Sequence, residues 1–68
     1  MKLSARNQLK GKVVEVKDGA IMSQVHLDIG GGNIITALIG KDSVADLGLK
    51  VGDAAVAIIK STEVIIGK

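Results

Sequence analysis

Three segments of this chain are apolar on both sides at once: residues 34–39 (IITALI), 54–59 (AAVAII) and 62–66 (TEVII). Successive side chains of an extended strand point to opposite faces, so Ile58 and Ile59 face apart, as do Ile34 and Ile35 or Ile65 and Ile66. An antiparallel sheet in a small domain normally keeps one dry face and one wet face. A chain of 68 residues has material for one core and cannot cover both faces of its own sheet. The usual reinforcements for so small a domain are disulfides, a structural metal or association with further copies. Cysteine is absent, and the single histidine, His26, cannot hold a metal alone. Association remains, and the sequence predicts a homo-oligomer in which another copy covers the second apolar face.

The strands themselves follow from residue choice. Nine Ile and eight Val, with no aromatic residue and no proline, favour the pleated conformation, where β-branched side chains pack well. Residues 9–17 predict a first long strand, closed by Asp18-Gly19, a pair suited to a tight turn. Over residues 20–29, Ile21, Val25, Leu27 and Ile29 share one face, while Gln24, His26 and Asp28 share the other. Gly30-Gly31-Gly32-Asn33 turns the chain into a third strand over 34–39. A short helix is expected across KDSVADLG, with Asp42 or Ser43 as its N-cap and Gly48 as its stop. Strands over 54–59 and 62–66 follow, separated by a bend at Lys60-Ser61. Residues 3–7 form a short extended segment able to pair with another strand. Five strands with one helix between the third and fourth match the element order of the OB-fold, an all-β five-stranded Greek-key barrel. Residues 1–68 read as one domain without repeat or linker.

Composition removes several function classes. The net charge is only +2, from nine basic and seven acidic residues, far from a dense basic surface. No aromatic ring other than the imidazole of His26 is available to stack on a base, so no nucleic-acid partner is expected. No run approaches the roughly 20 apolar residues of a membrane span, and Met1–Arg6 has no apolar signal region. A cytoplasmic protein with no membrane partner is the expectation. Catalytic groupings are equally scarce. His26 falls mid-strand on a polar face, and the carboxylates are scattered about turns. The Gly30–Gly32 run lies between strands and does not open a helix, unlike a phosphate-cradling loop. The chain is not expected to be an enzyme.

Two clusters combine hydroxyls with a cation: Ser4-Ala5-Arg6-Asn7 before the first strand, and Lys60-Ser61-Thr62 at the last bend. Arg offers a planar fork of donors, Lys a compact charge and Ser a rotatable hydroxyl. Such donors suit a small dianion, whose charge one Arg and one Lys would balance. Ser43, at the helix start, adds a further hydroxyl. The plainer alternative is a pair of solvated basic ends and an ordinary N-cap.

Ser4-Ala5-Arg6-Asn7-Gln8, then Asp42-Ser43-Val44-Ala45-Asp46-Leu47-Gly48-Leu49, Gly52-Asp53 and Lys60-Ser61-Thr62-Glu63-Val64 closely resemble the molbindins, the small Mop proteins first described as molybdenum-pterin-binding. The likeness runs over essentially the whole chain and fits the free-standing form of the unit. It implies an OB-like barrel assembled as a homohexamer, a trimer of dimers. It also implies molybdate (and tungstate) bound at subunit interfaces by hydrogen bonds, for intracellular molybdenum storage and homeostasis, with no direct metal ligand and no catalytic cofactor. Carried over, Ser4, Arg6, Lys60 and Ser61 supply side-chain donors, Ala5 supplies its backbone N–H, and Ser43 reaches in from a neighbouring subunit. A second site is nominated over residues 19–24, with Gly19, Ala20, Ser23 and Gln24 as its residues. Other functions compatible with parts of the sequence are a molybdate-sensing regulatory subunit, a nucleic-acid-binding OB module and a pterin carrier. The last two lack the aromatic surfaces they need.

Overall fold

The computed structural model describes residues 2–68. Strands β1 (Asn7–Asp18), β2 (Met22–Gly30), β3 (Asn33–Gly40) and β4 (Ala54–Ile59) form one antiparallel sheet in the order β3-β2-β1-β4. Helix α1 (Lys41–Leu47) lies between β3 and β4 in the chain. The all-β class, the first four strands and the single helix thus agree with expectation.

The sheet curls because β1 carries a bulge. Its register with β2 shifts between Val13 and Glu15, so Val14 is an extra residue left exposed. Adjacent valines break the alternation of the sequence here. The bulge resolves the conflict by turning Val13 inward and Val16 back towards the core, while adding local bend and twist. Val13, Val25 and Leu27 form the buried centre, with Ile35, Ala37, Ile39, Val44, Leu49, Ala55 and Ala57 packed around it. Both backbone polar groups of Val13 are satisfied from the loop before β4. Its N–H donates to the Asp53 carbonyl and its carbonyl accepts from Gly52 N–H, each at 2.8 Å.

Turns follow their residues. Gly30, Gly31 and Gly32 all take positive φ (94°, 63° and 79°), which side-chain-bearing residues adopt only with strain. Gly48 closes α1 in the left-handed conformation, its N–H donating to the Ala45 carbonyl.

Three expectations are corrected. Residues 62–66 form no strand: Ser61–Glu63 make a 3-10 turn, and Val64, Ile65 and Ile66 stay exposed, Ile65 at 92% and Ile66 at 86%. A strand needs a ladder partner, and this segment pairs with neither sheet edge of its own chain. Neither Asp42 nor Ser43 caps α1. Gly40 is the N-cap residue, with no side-chain cap bond, because β3 runs directly into the helix. Ile21 lies outside β2 in the β1–β2 turn and is exposed, and the inward position before Val25 belongs to Ser23. Of residues 3–7, expected as a segment able to pair with another strand, Asn7 pairs with Ile59 of β4 within the chain.

Candidate oxyanion site

The β1–β4 ladder assembles the two hydroxyl-and-cation clusters. Its pairs run from Lys12 opposite Ala54 to Asn7 opposite Ile59. One step beyond lie Arg6 and Lys60, and next to them Ala5 and Ser61. The clusters are 54 positions apart along the chain, and strand pairing alone makes them neighbours.

Local structure then fixes how each residue presents itself. Ala5 is buried, so its methyl group anchors the segment to the sheet, while Ser4 and Arg6 on either side are exposed. Lys60 and Ser61 are likewise exposed, where β4 ends and the 3-10 turn begins. The Lys60 carbonyl accepts from Glu63 N–H at 2.9 Å, tightening the turn directly behind the lysine.

Two amide side chains hold this junction, and sequence reasoning named both within its motifs but gave neither a role. Asn7 Nδ2 donates to the Ile59 carbonyl at 3.2 Å, and Gln8 Nε2 donates to the Ala5 carbonyl at 3.3 Å. Their only sequence signal is position, directly after the Ser-Ala-Arg triplet.

The electrostatics are unusual for a bare strand junction. Arg6 and Lys60 each lie one residue past the last ladder pair, where neighbouring like charges repel, yet neither makes an ion pair among the described residues. The ion pairs present gather instead at Glu15, with His26 at 3.1 Å and Lys17 at 4.0 Å. His26 also contacts Gln24 Oε1 at 3.0 Å, so it belongs to a polar cluster on the outer face of the sheet. That accords with a surface or interface histidine. Among the described residues there is no group of His, Cys, Asp or Glu able to hold a metal ion.

Ser43 is not part of the junction. Gly40 pairs with Met22, and Ser23 pairs with Asp18, so α1 sits beside the last residues of β1. Arg6 precedes the first residue of that strand. The whole length of β1 therefore separates Ser43 from Arg6 and Lys60 within one chain.

The residues nominated for a second site lie at Ser43's end of the sheet and do not converge. Ser23 is fully buried, its hydroxyl donating to Asp18 Oδ1 at 3.0 Å, whereas Gln24 faces the opposite side. Gly19 and Ala20 occupy the intervening turn, pinned by the Gly19 N–H to Met22 carbonyl bond of 2.9 Å.

This architecture places the chain among small all-β domains built on one curled sheet with a short helix at its end. The chain belongs to the TOBE domain family, whose model matches residues 3–66. It is 58% identical over 66 residues to molybdenum-pterin-binding protein 1 of Clostridium pasteurianum, covering 97% of each chain. A molybdate-binding protein from Sporomusa ovata has the same fold, with a TM-score of 0.93, 41% identity and full coverage of both chains. The cytoplasmic molybdate-binding protein ModG, in a molybdate-bound form, matches 90% of this chain and 43% of its own at 46% identity, with a TM-score of 0.86. The resemblance to molybdenum-pterin-binding proteins read from the Ser4–Gln8 and Lys60–Val64 motifs is borne out.

Proposed function

We propose that this chain binds molybdate, and tungstate with it, as an intact oxyanion in the cytoplasm, holding it for molybdenum storage and homeostasis without catalysing a reaction. The observation that carries the reading is the placement of Arg6 and Lys60 at one end of the β1–β4 ladder, flanked by Ser4 and Ser61, with no carboxylate paired to either cation among the described residues. A dianion between them relieves their repulsion and gains charge-assisted hydrogen bonds, each contributing about 1.5–3 kcal/mol. The molybdate named for the relatives supports this choice of anion.

Ala5 N–H completes the set on one chain, and Ser43 joins from another copy. The separation of Ser43 from Arg6 within the chain supports a site shared between subunits. Association also accounts for the missing fifth strand. The gap between edges β3 and β4 is an apolar hollow of about 500 Å³, lined by Ile35, Ile39, Ala55 and Ile59 among others. Residues 62–66 of a second copy fit it in size and apolar character and would close a five-stranded barrel. The assembly proposed is the homohexamer, a trimer of dimers, of single 1–68 domains. Ala20 lines a smaller hollow of about 340 Å³ together with Lys41 and Asp42, and the second anion site nominated over residues 19–24 is proposed there.

Sulfate shares the shape and charge of molybdate but is smaller, so a rigid pocket sized for molybdate leaves it with stretched contacts. Calorimetric titration of the purified protein tests the reading. Molybdate and tungstate are expected to bind tightly and sulfate weakly. Equal affinity for sulfate, or no heat with molybdate, would overturn it.

A further inference from the structure

We infer that Asn7 and Gln8 are positioning residues for the oxyanion site: their side-chain amides lock the two peptide planes from which Arg6 and Lys60 emerge. The inference rests on the oxyanion reading above and assigns the origin of the site's rigidity. The Ala5 carbonyl, held by Gln8, and the Arg6 N–H belong to one peptide unit. The Ile59 carbonyl, held by Asn7, and the Lys60 N–H belong to another. All peptide bonds are trans, so each unit carries its C=O and N–H on opposite sides of a common plane. Anchoring the carbonyl therefore sets the direction of the following N–H and the position of the next Cα, from which the cationic side chain starts.

Asn7 and Gln8 are consecutive, so their side chains leave β1 on opposite faces and reach different segments. Asn7 reaches across to the end of β4, while Gln8 folds back three residues onto its own chain. Between them they tie both halves of the site to one rigid strand start. Without them, the residues before Asn7 and after Ile59 lie outside the ladder, and two repelling cations would splay apart. A pocket that must hold its cations close before the anion arrives gains affinity and size discrimination from such support.

The test uses the full-length protein with Gln8→Met and Asn7→Leu made singly, each removing the donor at similar bulk. Molybdate and sulfate titrations, native mass, and ligand-free melting temperature and amide exchange are recorded for each. The expected result is an affinity for molybdate lowered about five- to tenfold, the scale of one neutral hydrogen bond, with a reduced molybdate-to-sulfate ratio. Native mass stays at the wild-type value, and the Arg6 and Lys60 amides exchange faster without ligand. The ligand-free melting temperature falls no further than in Ser23→Ala, which also loses one hydrogen bond but lies at the far end of the sheet. Gln8 is exposed, so its replacement leaves the core untouched. Unchanged affinity and selectivity in both variants overturns the role, as does a loss of affinity that follows a melting temperature falling below that of Ser23→Ala. A wild-type protein that binds no molybdate, while its Arg6 and Lys60 amides still depend on these side chains, overturns the oxyanion reading instead and leaves the clamps as purely structural.

Discussion

The two sides of β1 are built to different standards. Towards β2 the ladder runs from Lys12 to Asp18 through the bulge and its inner face is closed: Val13, Val25 and Leu27 are buried, and Ser23 adds a buried hydroxyl bonded to Asp18. Towards β4 the ladder runs without a shift, but Ala55 and Ala57 leave its inner face shallow before Ile59, and a wide hollow opens beside them. The exposed isoleucines follow immediately after β4. One side is a finished fold; the other is an unfinished surface, and the candidate site sits at its end. The difference teaches that strand pairing and core burial are separable, and that a binding site between copies belongs where the first is satisfied and the second is not.

The largest effect is expected from the unfinished side. Replacing both Ile65 and Ile66 by Asp should abolish association, with sedimentation reporting a single-chain species. Retention of the wild-type mass would erase the distinction between the two sides. On the finished side, Leu27→Ala removes a buried side chain and should lower stability by about 2–4 kcal/mol in urea unfolding. A cost well under 1 kcal/mol would mean that the β2 side is as loose as the other. Arg6→Ala should weaken molybdate binding by one to two orders of magnitude, or about 1.4–3 kcal/mol, while the native mass stays intact. Calorimetry and sedimentation together separate that result from loss of assembly. The smallest change is Ser23→Ala, which deletes the bond to Asp18 and should cost about 1 kcal/mol without altering anion affinity.

Much of this was legible from residues. Alternation placed Val25 and Leu27 inward and His26 outward, and Gly48 marked the helix stop, because each rests on local geometry. The fifth strand was not legible in the same way. Thr62–Ile66 has strand composition, but composition does not say which chain supplies the ladder partner. Ser43 has the right residue type for an N-cap, yet β3 enters α1 through Gly40 and leaves its side chain uninvolved in capping. The site was legible in its parts: Arg6 and Lys60 drew notice as cations beside hydroxyls, whereas Asn7 and Gln8 have no chemical signature until their partners are located.

By itself, then, the sequence determined the class of fold, the absence of disulfides, and the donor types available to an anion, since all three depend only on which side chains are present and how they alternate. Tertiary structure alone decided that Arg6 stands beside Lys60, that Ser43 lies at the far end of the sheet, and that residues 64–66 remain uncovered. The reason is ladder register: closeness between residues 54 positions apart comes from the hydrogen bonds that pair β1 with β4, not from any property of the residues brought together.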